Sequence, residues 1–356
     1  MLEQTEALLE GALEAIAAGA AARDAEPTPA FPEDAFAALE RAGATAFNAF
    51  AGPRRPPASE ELDLVRRVAR ADGSVGRIFD GHLNAAERIA VQAPDDVRDR
   101  ELEAFAAGEL RGGVWGGDPV PGEGDPARVV RGRVLRGVKT FCSGAGGLHR
   151  ALVLARNERG GPPVLVWINL NERSVEVDES WYRAHGLRAS VSHRVIFHDA
   201  PILAQLGPPG GISAQPWFAR DALRTAASWV GMADTAVYAA LSELAARPAR
   251  GPVEALAVGR ILTAQATLDA WLSVAADAMD GRRDDLPAIA LHGRAAIYVA
   301  CRTLLDEAAR ACGSRPFARA GDLDRARRDL ELFLLQHRLD PLLARAGEAA
   351  LETLAG

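Results

Sequence analysis

Few residues of this 356-residue chain have the types and spacing that do chemistry. Of seven histidines, His185, His193 and His198 fall close together on β-branched runs, but no Cys or carboxylate stands beside them at metal-ligand spacing, so no metal site is predicted. Cys142, Cys301 and Cys312 are an odd three without that spacing, which reads as free thiols in a reducing compartment, the cytoplasm. No nucleophile elbow, phosphate-binding loop or Gly-x-Gly-x-x-Gly after a strand occurs, so hydrolase, phosphotransferase and Rossmann dehydrogenase readings have no support. There remain His82 and His337, whose imidazoles can exchange protons near neutrality. There is also Asp221, near the start of a predicted helix, and the string Arg136-Gly-Val-Lys-Thr-Phe-Cys-Ser-Gly-Ala145. That string holds the chain's one lysine, Lys139, against 40 arginines. On its own terms Thr140-Phe-Cys-Ser is also a tight β-turn with its Phe in the core, His337 a helix residue bonded to Asp340, and Asp221 a carboxylate favouring a helix N-terminus.

The elements that must position these residues come in three textures. From residue 1 to 108 apolar residues recur at three and four, as in Leu9, Leu13, Ile16 and in Leu62, Val65, Val68, Ala69, which predicts four or five helices, one of them Val75 to Val91. From 109 to 206 Gly-rich turns separate short β-branched runs at Arg128–Leu135, Ala151–Ala155, Val164–Ile168, Ser174–Val177 and Arg194–Phe197. No helix-length pattern lies between them, which predicts a small antiparallel β-domain and not a βαβ fold. From 207 to 356 the helical period returns as four long helices and a possible fifth. The fold class is therefore α+β: an N-terminal helical domain (1–108), a central β-domain (109–206) and a C-terminal helical bundle (207–356).

Composition narrows the partners. With 41 basic against 48 acidic residues the formal charge is −7, so there is no basic field for a nucleic-acid backbone. No apolar run approaches the ~18 residues of a membrane span, and the first residues carry acids where a signal peptide needs bases, so neither membrane nor export is expected.

Three strings together resemble the acyl-CoA dehydrogenase superfamily of flavoproteins. The first is Lys139-Thr-Phe-Cys-Ser143, similar to that family's Lys-x-aromatic-x-Ser/Thr turn behind the flavin ring. Trp181 to Ala200, with Gly186-Leu-Arg-Ala-Ser190, resembles its Gly-Met-Arg-x-Ser/Thr stretch, and Cys312-Gly-Ser-Arg-Pro-Phe317 followed by Leu323 to Asp329 resembles elements of its last helices. The resemblance covers nearly the whole chain and implies that fold, with the ring of FAD, or of FMN, between the β-domain and the C-terminal helices.

The same resemblance assigns roles. Phe141 would pack on the ring, with Cys142 beside it; Ser143 and the Gly144 amide would donate toward its polar edge; Trp115 and Gly117, in a Trp-Gly-Gly-Asp-Pro turn where the family has a threonine, would approach by main chain. Gly313, Ser314, Arg315 and Arg294 would hold phosphate, although the family's Arg-x-x-Phe-Gly element is replaced by Glu254-Ala-Leu-Ala-Val258. His82 would face the substrate cavity. The family's usual glutamate base would stand eight residues after Asp329, where this chain has His337; Asp221 is the alternative base.

The leading expectation is a flavin-dependent oxidoreductase acting on the CH–CH unit of a small acyl thioester or related acyl substrate. One alternative is a monooxygenase using reduced flavin from a separate reductase, and another is a homologue that binds without catalysis. An electron-transfer or reductase partner and a homo-oligomer, dimer or tetramer, are implied by the resemblance.

Overall fold

In the helix predicted at Val75, the residues Val75, Ile78, Phe79, Leu83, Ala86 and Ile89 repeat at three and four, and all of them are buried. A computed structural model describes residues 2–49, 55–336 and 339–355. Among these the helices are α1 (Leu2–Ala25), α2 (Glu33–Arg41), α3 (Ala58–Ala71), α4 (Gly73–Gln92), α5 (Asp95–Ala106), α6 (Trp217–Ala245), α7 (Pro252–Asp280), α8 (Leu286–Cys312), α9 (Asp322–Leu334) and α10 (Asp340–Ala355). The strands are β1 (Gly112–Trp115), β2 (Arg128–Val130), β3 (Val134–Cys142), β4 (Arg150–Ala155), β5 (Val164–Asn169), β6 (Val175–Asp178) and β7 (His193–Leu206). The fold is α+β, and no described helix is long and apolar enough to cross a membrane. The chain divides into two units, Met1–Pro56 with Ser74–Trp217 and Pro57–Gly73 with Phe218–Gly356.

The first unit is built on a sheet of order β1-β4-β5-β7-β3-β2, with β6 also on β7. Strand β7 is long enough to serve two sets of partners: it pairs β3 and β6 through its first half and β5 from Ile202 to Leu206. Ala86 and Ile89 of α4, Leu102 and Phe105 of α5, Leu152 of β4 and Trp167 of β5 form one buried cluster. Each such large side chain contributes about 1.5–3 kcal/mol by leaving water, and the Trp167 indole keeps its hydrogen bond by donating to Glu101 at 3.0 Å.

Two features depart from the antiparallel expectation. The run Arg128–Leu135 is two strands, because Arg131 and Gly132 both take positive φ (52° and 63°) in a three-residue loop between the paired Val130 and Val134, and their amides donate to Glu158. Strands β1 and β4 run parallel, since the β2–β3 hairpin between them returns the chain to its starting side.

In the second unit α3 packs with the C-terminal helices, although it lies in the segment predicted as N-terminal domain. Its approach to α6 rests on Gly231: a Cβ there would lie 2.1 Å from the Arg66 carbonyl oxygen. Arg66 donates from Nε and Nη2 to the Asp234 carboxylate (2.6 and 2.9 Å) and reaches Asp269 at 2.8 Å. The buried Glu61 of α3 likewise accepts from Arg220 (2.7 Å) and from Arg224 of α6. The C-terminal segment holds three long helices, α6, α7 and α8, and two shorter ones, α9 and α10.

Candidate active site

In the first unit the candidate residues gather at the end of β3 and in the loop that follows it. Along Lys139-Thr-Phe-Cys-Ser the pairing of β3 with β7 shifts register between Lys139 and Cys142, and Phe141, inside that irregularity, is 59% exposed, the reverse of a core phenylalanine. Its φ of +54° turns the chain sharply there, and the Ser143 amide donates back to the Phe141 carbonyl at 3.0 Å. The ring stands edge to face with Trp181, centroids 4.9 Å apart. Trp181 is itself anchored, its indole donating to Glu123 at 2.9 Å.

Beneath this aromatic face the polar groups are organised from both sides. Trp115 is buried and donates from Nε1 to the Ser143 carbonyl at 3.0 Å, so its position is under the loop. The Gly144 amide, expected to face a ring, donates instead to the Ser190 carbonyl at 2.8 Å. The Ser143 hydroxyl lies 2.8 Å from Ser192 Oγ, which in turn is 2.8 Å from Ser190 Oγ. The Gly117 carbonyl accepts from the Thr140 amide at 3.0 Å, and a Cβ on Gly117 would sit 2.5 Å from the Thr140 carbonyl oxygen, which explains glycine where the related turn has threonine. Gly116 beside it has nothing within 4 Å of a Cβ position.

Two expected contacts belong to the core. The Cys142 thiol is fully buried, and burial pushes it far above its ordinary pKa, so it is a neutral packing group. The His82 ring has no exposed surface: Nε2 donates to the Thr45 carbonyl (2.7 Å) while Nδ1 accepts from the Gly112 amide (3.2 Å). Burial pushes its pKa down to about 4, against a smaller upward pull from the Thr45 bond, so it is a neutral clamp with no free edge for a cavity. His193 is buried beside Tyr182, His198 is exposed on Glu176 and His185 is exposed, so the three do not converge.

In the second unit Arg294 is buried over the Trp229 ring, 5.3 Å from its centroid. Its Nε and Nη2 find no acceptor among the described residues, and burial alone pulls the guanidinium down to about 10. Gly313 takes φ +71° and ends α8; Ser314 and Arg315 follow it on an exposed turn. Asp221 accepts from Arg224 at 3.3 Å, which places it in the Glu61 ion-pair cluster. His337 lies outside the described residues.

Sequence reasoning had the loop and missed its support. Ser190 ends the Gly186-Leu-Arg-Ala-Ser190 string and Ser192 follows it within Trp181 to Ala200, and their two-residue spacing was the available signal.

No protein-family model matches the chain. The dibenzothiophene monooxygenase of Mycolicibacterium goodii is 26% identical over 168 residues, which is 42% of this chain and 39% of that protein. Among solved structures, the dibenzothiophene monooxygenase TdsC of Paenibacillus sp. A11-2 superposes at a TM-score of 0.81 with 18% identity, over 98% of this chain and 97% of that one; it is also known with FMN bound. KijD3, in complex with FMN and a dTDP-linked amino keto sugar, matches at 0.80 and 20% over 97% and 93%. The fold is that of the acyl-CoA dehydrogenases, as the Lys139, Ser190 and Cys312 strings imply.

Proposed function

We propose that this chain is a flavin-dependent monooxygenase that takes reduced FMN from a separate reductase and acts on a small organic molecule, and that it does not oxidise an acyl thioester. The observation that carries the reading is the outward, exposed Phe141 ring beside the Ser143 hydroxyl: an aromatic face next to a desolvated donor is what a planar heteroaromatic ring with a polar edge requires. The residues present fit a flavin at that place. Reduced flavin, when bound, supplies the electrons that activate dioxygen. Phe141 would cover one ring face, Ser143 would donate to the polar edge, and the bonds from Trp115 and Gly144 would keep that segment rigid.

Monooxygenation is preferred to dehydrogenation because the position eight residues after Asp329 is His337 and not a glutamate, which leaves no carboxylate there to remove an α-proton. Both dibenzothiophene monooxygenases to which the chain is similar point the same way. FMN is preferred to FAD because the Arg-x-x-Phe-Gly element linked to the second phosphate is absent, and TdsC and KijD3 bind FMN. Within the second unit taken by itself, the orphaned donors of Arg294 suit an anionic group. A homo-oligomer belongs to the same reading and is tested by sedimentation; a monomer mass would remove it.

The deciding experiment titrates the purified protein with FMN and FAD, then supplies NADH, a flavin reductase, oxygen and a panel of aromatic heterocycles including dibenzothiophene and indole. Oxygen-dependent product formation that needs the reductase is expected. Anaerobic bleaching of bound flavin by an acyl thioester would return the dehydrogenase reading, and no uptake of either flavin would leave only a binding homologue.

A further inference from the structure

We infer that Ser192 and Ser190 are positioning residues that set the direction of the Ser143 hydroxyl, so that its proton points out of the protein toward whatever occupies the loop. The inference rests on the proposed flavin site for its purpose, but its geometry stands without it. The three oxygens form a chain with both links at 2.8 Å, and the serines are 8%, 5% and 0% exposed in the order Ser143, Ser192, Ser190.

A serine hydroxyl has one proton to donate and lone pairs to accept with. Three in a row therefore orient head to tail, in one of two directions. If Ser143 donated to Ser192 and Ser192 to Ser190, the Ser190 proton would need an acceptor, and Ser190 Oγ has no described partner besides Ser192. A fully buried donor without an acceptor is the unfavourable end of any hydrogen-bond network. In the opposite direction Ser190 donates to Ser192, Ser192 donates to Ser143, and the outward Ser143 proton is the one available to a ligand. Chains of this kind also strengthen link by link, because each acceptor is polarised by the next.

The backbone is held independently. The Gly144 amide donates to the Ser190 carbonyl and Trp115 to the Ser143 carbonyl, so removing a hydroxyl changes the polarity of the chain without releasing the loop. Between the two partner serines Val191 takes φ +40°, a region a β-branched residue rarely adopts, and its carbonyl accepts from the His193 amide at 2.7 Å. That turn brings Ser190 and Ser192 to the same side.

The direction has a signature that needs no flavin. Removing the last acceptor strands a buried donor, whereas removing the first donor strands nothing. Ser143→Ala should therefore lower the melting temperature by about 2 °C or more relative to Ser190→Ala. The reverse order would overturn the inference. The second arm uses the full protein with FMN and the reductase. Ser192→Ala should shift the absorption of bound FMN and lower kcat about tenfold with KM little changed, and Ser192→Thr, which keeps the hydroxyl, should restore both. The double variant Ser143→Ala/Ser192→Ala should be no slower than Ser143→Ala alone; additive losses would mean that Ser192 acts by another route and would sink its positioning role. Wild-type protein that takes up no FMN would remove the functional reading, while the melting order would still judge the hydroxyl chain.

Discussion

The single lysine of the chain, Lys139, is buried, and its ammonium donates to Asp118 at 2.7 Å and to the Gly116 carbonyl at 3.3 Å. It thereby ties β3 to the Gly116-Gly117-Asp118 turn, the same turn that Thr140 grips through its amide and through its hydroxyl on the Asp118 carbonyl at 3.1 Å. A flexible ammonium reaches two differently directed oxygens where a planar guanidinium would need a flat, forked partner, a physical reason for lysine here.

Removing Asp118 leaves that buried ammonium with the longer contact alone. Because the Asp118 side chain is 46% exposed, the pair is discounted toward surface values, and Asp118→Ala should cost about 1–2 kcal/mol. Lys139→Met in the Asp118→Ala background should recover part of the loss, since no charge is then stranded. Thermal melts of the single and double variants check this; equal melting of Asp118→Ala and wild type would refute it.

Neighbouring glycines should respond in opposite ways. Gly117→Ala forces a Cβ to 2.5 Å from the Thr140 carbonyl oxygen and Gly231→Ala forces one to 2.1 Å from that of Arg66, both against backbone that cannot swing aside. Each should destabilise by about 3 kcal/mol or more. Gly116→Ala meets nothing within 4 Å and should stay within about 1 kcal/mol of wild type. Denaturant midpoints for the three separate steric need from general intolerance of the turn.

His82 gives the stability a pH dependence of definite sign. Burial holds its pKa at about 4 in the folded protein, while the unfolded chain titrates near the ordinary 6.5. Its contribution is complete above pH 6.5 and is lost as the pH falls toward 4, because only the unfolded state takes the proton, with a slope of at most about 1.4 kcal/mol per pH unit. Burial lowers His149 and His193 as well, so the informative quantity is the difference between wild type and His82→Gln. The variant should be less stable at pH 8 and should lose less between pH 6.5 and 5; parallel curves would contradict the neutral clamp.

Phe141 should affect ligand and not fold. Its ring is exposed, so Phe141→Ala should change the melting temperature by little, yet weaken FMN about tenfold through lost stacking. Quenching of flavin fluorescence on titration measures the affinity. An unchanged affinity would remove Phe141 from the site.

What the sequence determined by itself was whatever depends on near neighbours. Spacing at three and four marked α4 and the C-terminal helices, short β-branched runs marked β4 and β5, and the Lys139-x-Phe141-x-Ser143 string marked a turn at the end of β3, because helix period, β-branched runs and turn strings are short-range properties of the chain. What only the tertiary structure decided depends on groups far apart in sequence. Ser143 and Ser192 are 49 residues apart, and His82 is 37 from Thr45 and 30 from Gly112; no local pattern names such partners. Hence the sequence left His82 as a cavity residue and the Gly144 amide as a ring donor, whereas the folded chain closes both on its own backbone. The parallel pairing of β1 with β4 and the placement of α3 beside α6 have the same origin: side-chain period says which face of an element is buried, and the path of the whole chain says what covers it.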